Sequence, residues 1–135
     1  MGQRLTAAPL QAVLDASAVL ALLFAEPGAD HVVQFLDTGA ISAVNVAEVV
    51  SKLMERDAPP GMVDRELSRL RLRVLPFDEK LAWEAGALHK LTHGRSISLG
   101  DRACLATARS LNVPAVTGDR MWADLGLDVQ MQFIR

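Results

Sequence analysis

The chain of 135 residues has one cysteine, Cys104, so it cannot close a disulfide on itself. Its fold must stand on packing alone, which suits a reducing compartment, and Cys104 reads as a small core residue. Tyrosine is absent and aromatics amount to 4%, so the core is aliphatic and base stacking is a poor candidate for the main binding mode. The longest apolar run, 16–25, is about half the ~20 residues of a membrane-spanning helix and contains Ser17. The first residues also lack the apolar stretch and small-residue cleavage site of a secretory leader, so a cytoplasmic protein without a membrane partner is expected. Neither sign of charge dominates. A balance of 14 Lys+Arg against 16 Asp+Glu argues against a strongly basic nucleic-acid coat protein, and any attraction for phosphate has to be local or borne by a metal.

What the chain does have is aliphatic bulk, at 50% hydrophobic residues, in a length that suits one domain and leaves no room for a second. Residues 1–11 carry no motif and are expected to be a tail before a domain spanning 12–135. Short apolar runs alternate with helical patterns, which predicts an α/β fold of three layers, with helices on both faces of a central, mostly parallel sheet. Strands are expected at 12–15, 41–43, 73–76 and 113–117, with a last edge strand at 129–133. Helices are expected at 17–24 and 29–36, then from a cap at Asn45 through the stripe Val46, Val49, Val50, Leu53 and Met54. The Arg-rich helix 62–72, after the breaker 57–61, reads as an exposed excursion. Asp78 caps the next helix and His93-Gly94 ends it; the remaining helices are 98–111 and 119–125.

Four acids stand where the pattern wants apolar residues. Asp15 interrupts the run 13–20, Glu48 interrupts 44–50, Asp101 follows Leu99-Gly100, and Asp119 follows 115–118. Each falls at the carboxyl end of an expected strand or in the first turn of the next helix, the edge at which open α/β sheets bind ligands. Taken singly, each acid is as well read as a helix cap, and Asp101 has the capping-box offset from Ser98. Glu48 has no basic neighbour before Lys52, and an exposed pair at that spacing is worth only ~0.3–0.5 kcal/mol. Taken together, carboxylates about 5 Å apart repel by roughly 3 kcal/mol per pair at an effective dielectric of about 20. Such a cluster must protonate, disperse or bind a divalent cation, and an oxygen-only donor set selects Mg²⁺ or Mn²⁺ over zinc. A phosphodiester is the substrate such an ion serves, by neutralising the phosphate and acidifying an attacking water.

Four segments resemble a known family: Val13-Leu14-Asp15-Ala16-Ser17-Ala18, Ile41-Ser42-Ala43-Val44-Asn45-Val46-Ala47-Glu48-Val49, the stretch from Ser98-Leu99-Gly100-Asp101 to Ala108, and Ala115-Val116-Thr117-Gly118-Asp119-Arg120-Met121-Trp122. In order and spacing they are similar to the PIN-domain ribonucleases, and within them to the VapC-type toxins of toxin-antitoxin pairs. The resemblance implies a metal-dependent endoribonuclease that hydrolyses RNA to leave a 5′-phosphate, with a cognate protein antitoxin and a homodimeric state. It implies Asp15 and Asp101 as the main metal ligands, with Glu48 and Asp119 completing the acidic pocket directly or through water. Ser17, Asn45 and Thr117 match its smaller polar positions, where they either orient carboxylates and bound water or, for Ser17 and Asn45, cap helices.

Arg102 and Arg120 follow two of the aspartates, and Lys90 and Arg95 precede the third motif; they can hold RNA phosphates or, as solvated cations, balance nearby acids. His31, His89 and His93 are scattered outside the motifs, against a histidine base or ligand. Part of the apolar surface of helix 17–24 and of the Val46 to Met54 stripe is expected to be exposed as a partner patch. A haloacid dehalogenase-type phosphatase also begins with an Asp after its first strand, but it needs a second Asp where Ser17 stands and has no role for Glu48. A receiver domain lacks support for the same kind of reason, its paired acids and lysine being absent. The non-enzymatic alternative is a catalytically inactive PIN-like module that binds RNA or protein.

Overall fold

The computed structural model describes residues 9–92 and 97–135. The apolar run Ala12-Val13-Leu14 becomes β1 (Ala12–Leu14), the middle strand of five, with all three side chains buried because both faces of the sheet are covered. The others are β2 (Gly39–Ser42), β3 (Arg73–Leu75), β4 (Ala115–Thr117) and β5 (Met131–Phe133), in the order β3-β2-β1-β4-β5. Every pairing is parallel.

Side-chain alternation sorts the strands between two cores. Ala12 and Leu14 join Ile41 and Val116 on one face, where α1 (Ala16–Leu23), α2 (Ala29–Val33), α3 (Ala43–Glu55) and α4 (Pro60–Leu70) contribute Val19, Val32, Val49 and Val63. Val13 and Ala115 point the other way, to Leu88 of α5 (Glu79–Leu91), Leu105 of α6 (Leu99–Leu111) and Trp122 of a short 3₁₀ helix (Arg120–Asp124). The architecture is therefore the expected three layers.

The strand order positions the site. From β1 the chain moves outward through β2 to β3, then returns to place β4 on the other side of β1. Connections leave β1 and β4 in opposite directions, and the crevice this opens beyond their carboxyl ends is where sheets of this kind bind ligands. The register Leu14↔Val116 sets Asp15 beside Thr117 at that edge.

Several expected boundaries move. The sheet is parallel throughout, and α1 starts at Ala16 with Asp15 as its cap. Asn45 does not cap α3: β2 runs on through Ser42, whose Oγ accepts from Val44 N at 3.2 Å, so Asn45 lies inside the first turn. The Arg-rich helix α4 is no excursion, because Val63 is buried and Leu67 and Leu70 pack on the core. The α1 side chains Leu20, Leu22 and Leu23 and the following Phe24 are largely covered as well, leaving Met54 at the end of α3 as an exposed member of the expected patch. The His93-Gly94 stop lies outside the described residues; within them, α5 closes on Thr92. No described helix is long and apolar enough to cross a membrane.

Candidate active site

Asp15 is the centre of the polar network. It is 3% exposed, and as N-cap of α1 its Oδ1 accepts from Ala18 N at 2.9 Å and from Ser17 Oγ at 2.7 Å. Its Oδ2 accepts from Thr117 Oγ1 at 2.6 Å. Ser17 Oγ in turn accepts from Gly118 N at 2.9 Å, and Thr117 Oγ1 accepts from Asp119 N at 3.0 Å. The turn after β4 is thereby tied to the turn after β1 through two hydroxyls. Ser17 and Thr117 are thus placed to orient the carboxylate; the cap of α1 is Asp15 itself.

A second group comes from α3 and α6. Asn45, fully buried, donates from Nδ2 to Glu48 Oε1 at 2.7 Å and to Gly100 O at 3.0 Å, pinning α3 to the first turn of α6. Asp101 follows at once and forms the capping box with Ser98: Asp101 N donates to Ser98 Oγ at 3.1 Å, and Ser98 N donates to Asp101 Oδ2 at 3.2 Å. Asp119 caps the 3₁₀ helix through Met121 N at 3.0 Å. Cap and site readings are therefore compatible, since each cap occupies only part of a carboxylate's capacity to accept.

The electrostatics join the two groups. Burial, reinforced by the charge of Asp101, raises the Asp15 carboxyl to about 6 in spite of its three hydrogen bonds. Burial also raises Asp101, and the charge of Asp119 adds to it, against the lowering effect of the Ser98 hydrogen bonds and Arg102. Cys104, wholly buried and surrounded by Asp15, Asp101 and Glu48, is held well above the ordinary thiol range, first by desolvation and then by those charges. An inert packing thiol results. Among the described residues no Lys or Arg stands within ion-pair distance of the four acids.

This donor set fits a hard divalent cation of the kind that keeps its waters. No three His, Cys, Asp or Glu side chains among the described residues converge closely enough to chelate an ion unaided. Mg²⁺ takes one or two carboxylates and retains several waters, so the buried Asp15 with the half-buried Glu48, Asp101 and Asp119 around it suits it. Asn45 Oδ1 adds a buried oxygen that has no hydrogen-bond partner.

The arginines lie differently from one another. Arg102 Nη1 donates to Ala85 O of α5 at 3.2 Å, and its Nε is buried without a partner. Arg120 is exposed, over the Phe133 ring, and donates to Arg135 O at 3.0 Å. His31 lies against Phe35, away from the carboxylates, and Arg95 and His93 are outside the described residues. Gly100 is the participant that the sequence reading passed over; its one local signal is a glycine where a helix begins.

Comparison with known proteins agrees with this fold. A comparison with curated proteins finds no significant match. Among solved structures, a chain of VapBC-1 from nontypeable Haemophilus influenzae superposes with a TM-score of 0.72 at 23% identity, covering 93% of this chain and 98% of that one. A chain of VapBC2 from Rickettsia felis, bound to a promoter DNA fragment, gives 0.72 at 15% identity over 92% and 98%. One of VapBC-5 from Mycobacterium tuberculosis, from the VapBC family of toxin-antitoxin systems, gives 0.58 at 25% identity over 94% and 99%. The family model described as PIN domain matches residues 12–127, and the chain belongs to the PIN-domain family.

Proposed function

We propose that the protein is a Mg²⁺-dependent endoribonuclease toxin of a type II toxin-antitoxin pair, active also with Mn²⁺, acting in the cytoplasm and restrained by a protein antitoxin. The observation that carries this reading is Asp15: a carboxylate 3% exposed at the switch point of a parallel sheet, within reach of the charge of Asp101 and, among the described residues, with no cation in ion-pair contact. Asp15 and Asp101 would hold the metal, with Glu48 and Asp119 completing the site directly or through water. A bound Mg²⁺ supplies charge neutralisation at the phosphodiester and a more acidic water. Ser17 and Thr117 fix the rotation of the Asp15 carboxylate, and Asn45 fixes that of Glu48. Arg120, exposed next to Asp119, is free to reach an RNA phosphate with its remaining donors; Arg102 offers fewer, since part of its guanidinium is turned to α5.

The antitoxin reading draws support from the toxin-antitoxin origin of the matched structures. A cleft of about 190 Å³ lined by Leu23, Phe24, Leu53, Met62 and Val63, with Arg56 and Glu66 also in its wall, offers a largely apolar seat for such a partner. For a homodimer, α5 offers Trp83, 75% exposed beside Ala82, Gly86 and Ala87. The single nuclease domain would span 12–135, with 1–11 as its tail.

The test is cleavage of structured RNA by purified, antitoxin-free protein. Cleavage is expected with Mg²⁺ or Mn²⁺, abolished by EDTA and reduced at least about a hundredfold in Asp15→Asn and Asp101→Asn. Undiminished cleavage by Asp101→Asn would overturn the site assignment. RNA binding without cleavage, under every metal, would favour the inactive binding module instead.

A further inference from the structure

Position 100 lies in the first turn of α6, where alanine would favour the helix over glycine. The missing side chain has a structural use. A Cβ at Gly100 would collide with the carboxyl carbon and both carboxylate oxygens of Glu48, the mobile end of a side chain that would have to swing off its seat, whereas at Gly61 and Gly86 a Cβ would meet open space. Gly100 is also tied to the same acid by its carbonyl, which accepts from Asn45 Nδ2 at 3.0 Å while that amide donates to Glu48 Oε1 at 2.7 Å. The close approach brings Glu48 to the end of α6 whose first N–H groups favour negative charge.

We propose that Gly100 is a positioning residue of the candidate site: its bare Cα seats the Glu48 carboxylate, and its carbonyl holds the amide that aims it. The α3 acid is thereby held against the first turn of α6, the turn that also carries Asp101. What Glu48 does once held rests on the nuclease reading above; where it sits does not.

A variant cycle tests the seat and its consequence separately. In metal-free protein, Gly100→Ala should lower Tm when Glu48 is present and raise it in a Glu48→Ala background, where only the gain in helix propensity remains. Mn²⁺ titration followed by electron paramagnetic resonance should show Gly100→Ala binding about 10–100-fold more weakly than wild type. The double variant Gly100→Ala/Glu48→Asp, whose shorter acid clears the added methyl, should bind at least as well as Gly100→Ala alone. Gly86→Ala should keep wild-type affinity. Equal Tm shifts in the two backgrounds, wild-type affinity in Gly100→Ala, or affinity losses that multiply in the double variant would each overturn the proposal. RNA left uncut by a wild type that passes this cycle would overturn the nuclease reading and leave the seat standing.

Discussion

Asp15 shows how one side chain can cost stability for the sake of chemistry. Its carboxyl is raised from 3.8 to about 6, chiefly by burial, so the folded protein prefers the protonated form. The folded value lies above the unfolded one. The stability this group contributes is therefore fully present below about pH 4 and is lost as pH rises through about 6, a change on the order of 3 kcal/mol. Asp15→Asn keeps an oxygen for Ala18 N and abolishes the titration. We expect it to unfold at higher denaturant than wild type at about pH 8 in EDTA, and at nearly the same concentration at about pH 4. An unchanged or lower midpoint at the higher pH would show that the buried charge is already compensated. The sequence marks Asp15 as an acid in an apolar run, but its burial and its two hydroxyl donors come from segments about a hundred residues apart.

At the scale of elements, three of the four candidate site acids also serve helix caps. Asp15, Asp101 and Asp119 each engage backbone N–H groups at a helix start, which fixes their direction. Ser98→Ala removes one half of the α6 capping box and should cost about 1 kcal/mol, read as a fall of several degrees in Tm. It should also loosen Asp101 and weaken Mn²⁺ binding; a Tm loss with unchanged Mn²⁺ affinity would confine Ser98 to helix stability. The Ser98–Asp101 box was legible as a four-residue spacing. The α3 cap was not, because Ser42 and Asn45 are both good capping types and only the length of β2 decides between them. The α4 helix likewise looked too polar to belong to the core, since a single stripe of Val63, Leu67 and Leu70 does all its packing.

For the whole molecule, the near-neutral charge takes on a different meaning. If the four candidate acids are taken by the proposed site, 12 of the 16 are left against 14 Lys+Arg, so the remainder of the chain is slightly basic. Phosphate attraction can then be spread over the surface while the repulsion is confined to the site. Because an ion that binds only the folded form stabilises it, Mn²⁺ at about a hundred times its Kd should add about 2.7 kcal/mol. The rise in Tm should be absent in Asp15→Asn and Asp101→Asn, and it should shrink below about pH 6 as protons compete for Asp15. A rise that survives both substitutions would place the ion elsewhere.

The sequence by itself determined the alternation of strands and helices, the three-layer α/β class and the four acids set in apolar runs, because periodicity, caps and breakers act over a few residues; Asp15 and Asp119 end up after β1 and β4, Glu48 and Asp101 within α3 and α6. The tertiary structure decided which of these residues meet. The strand order brings β4 back beside β1, and the register Leu14↔Val116 puts Thr117 against Asp15. Packing of α3 on α6 then brings Glu48 onto Gly100, a contact between residues far apart in the chain that exists only where a side chain is missing.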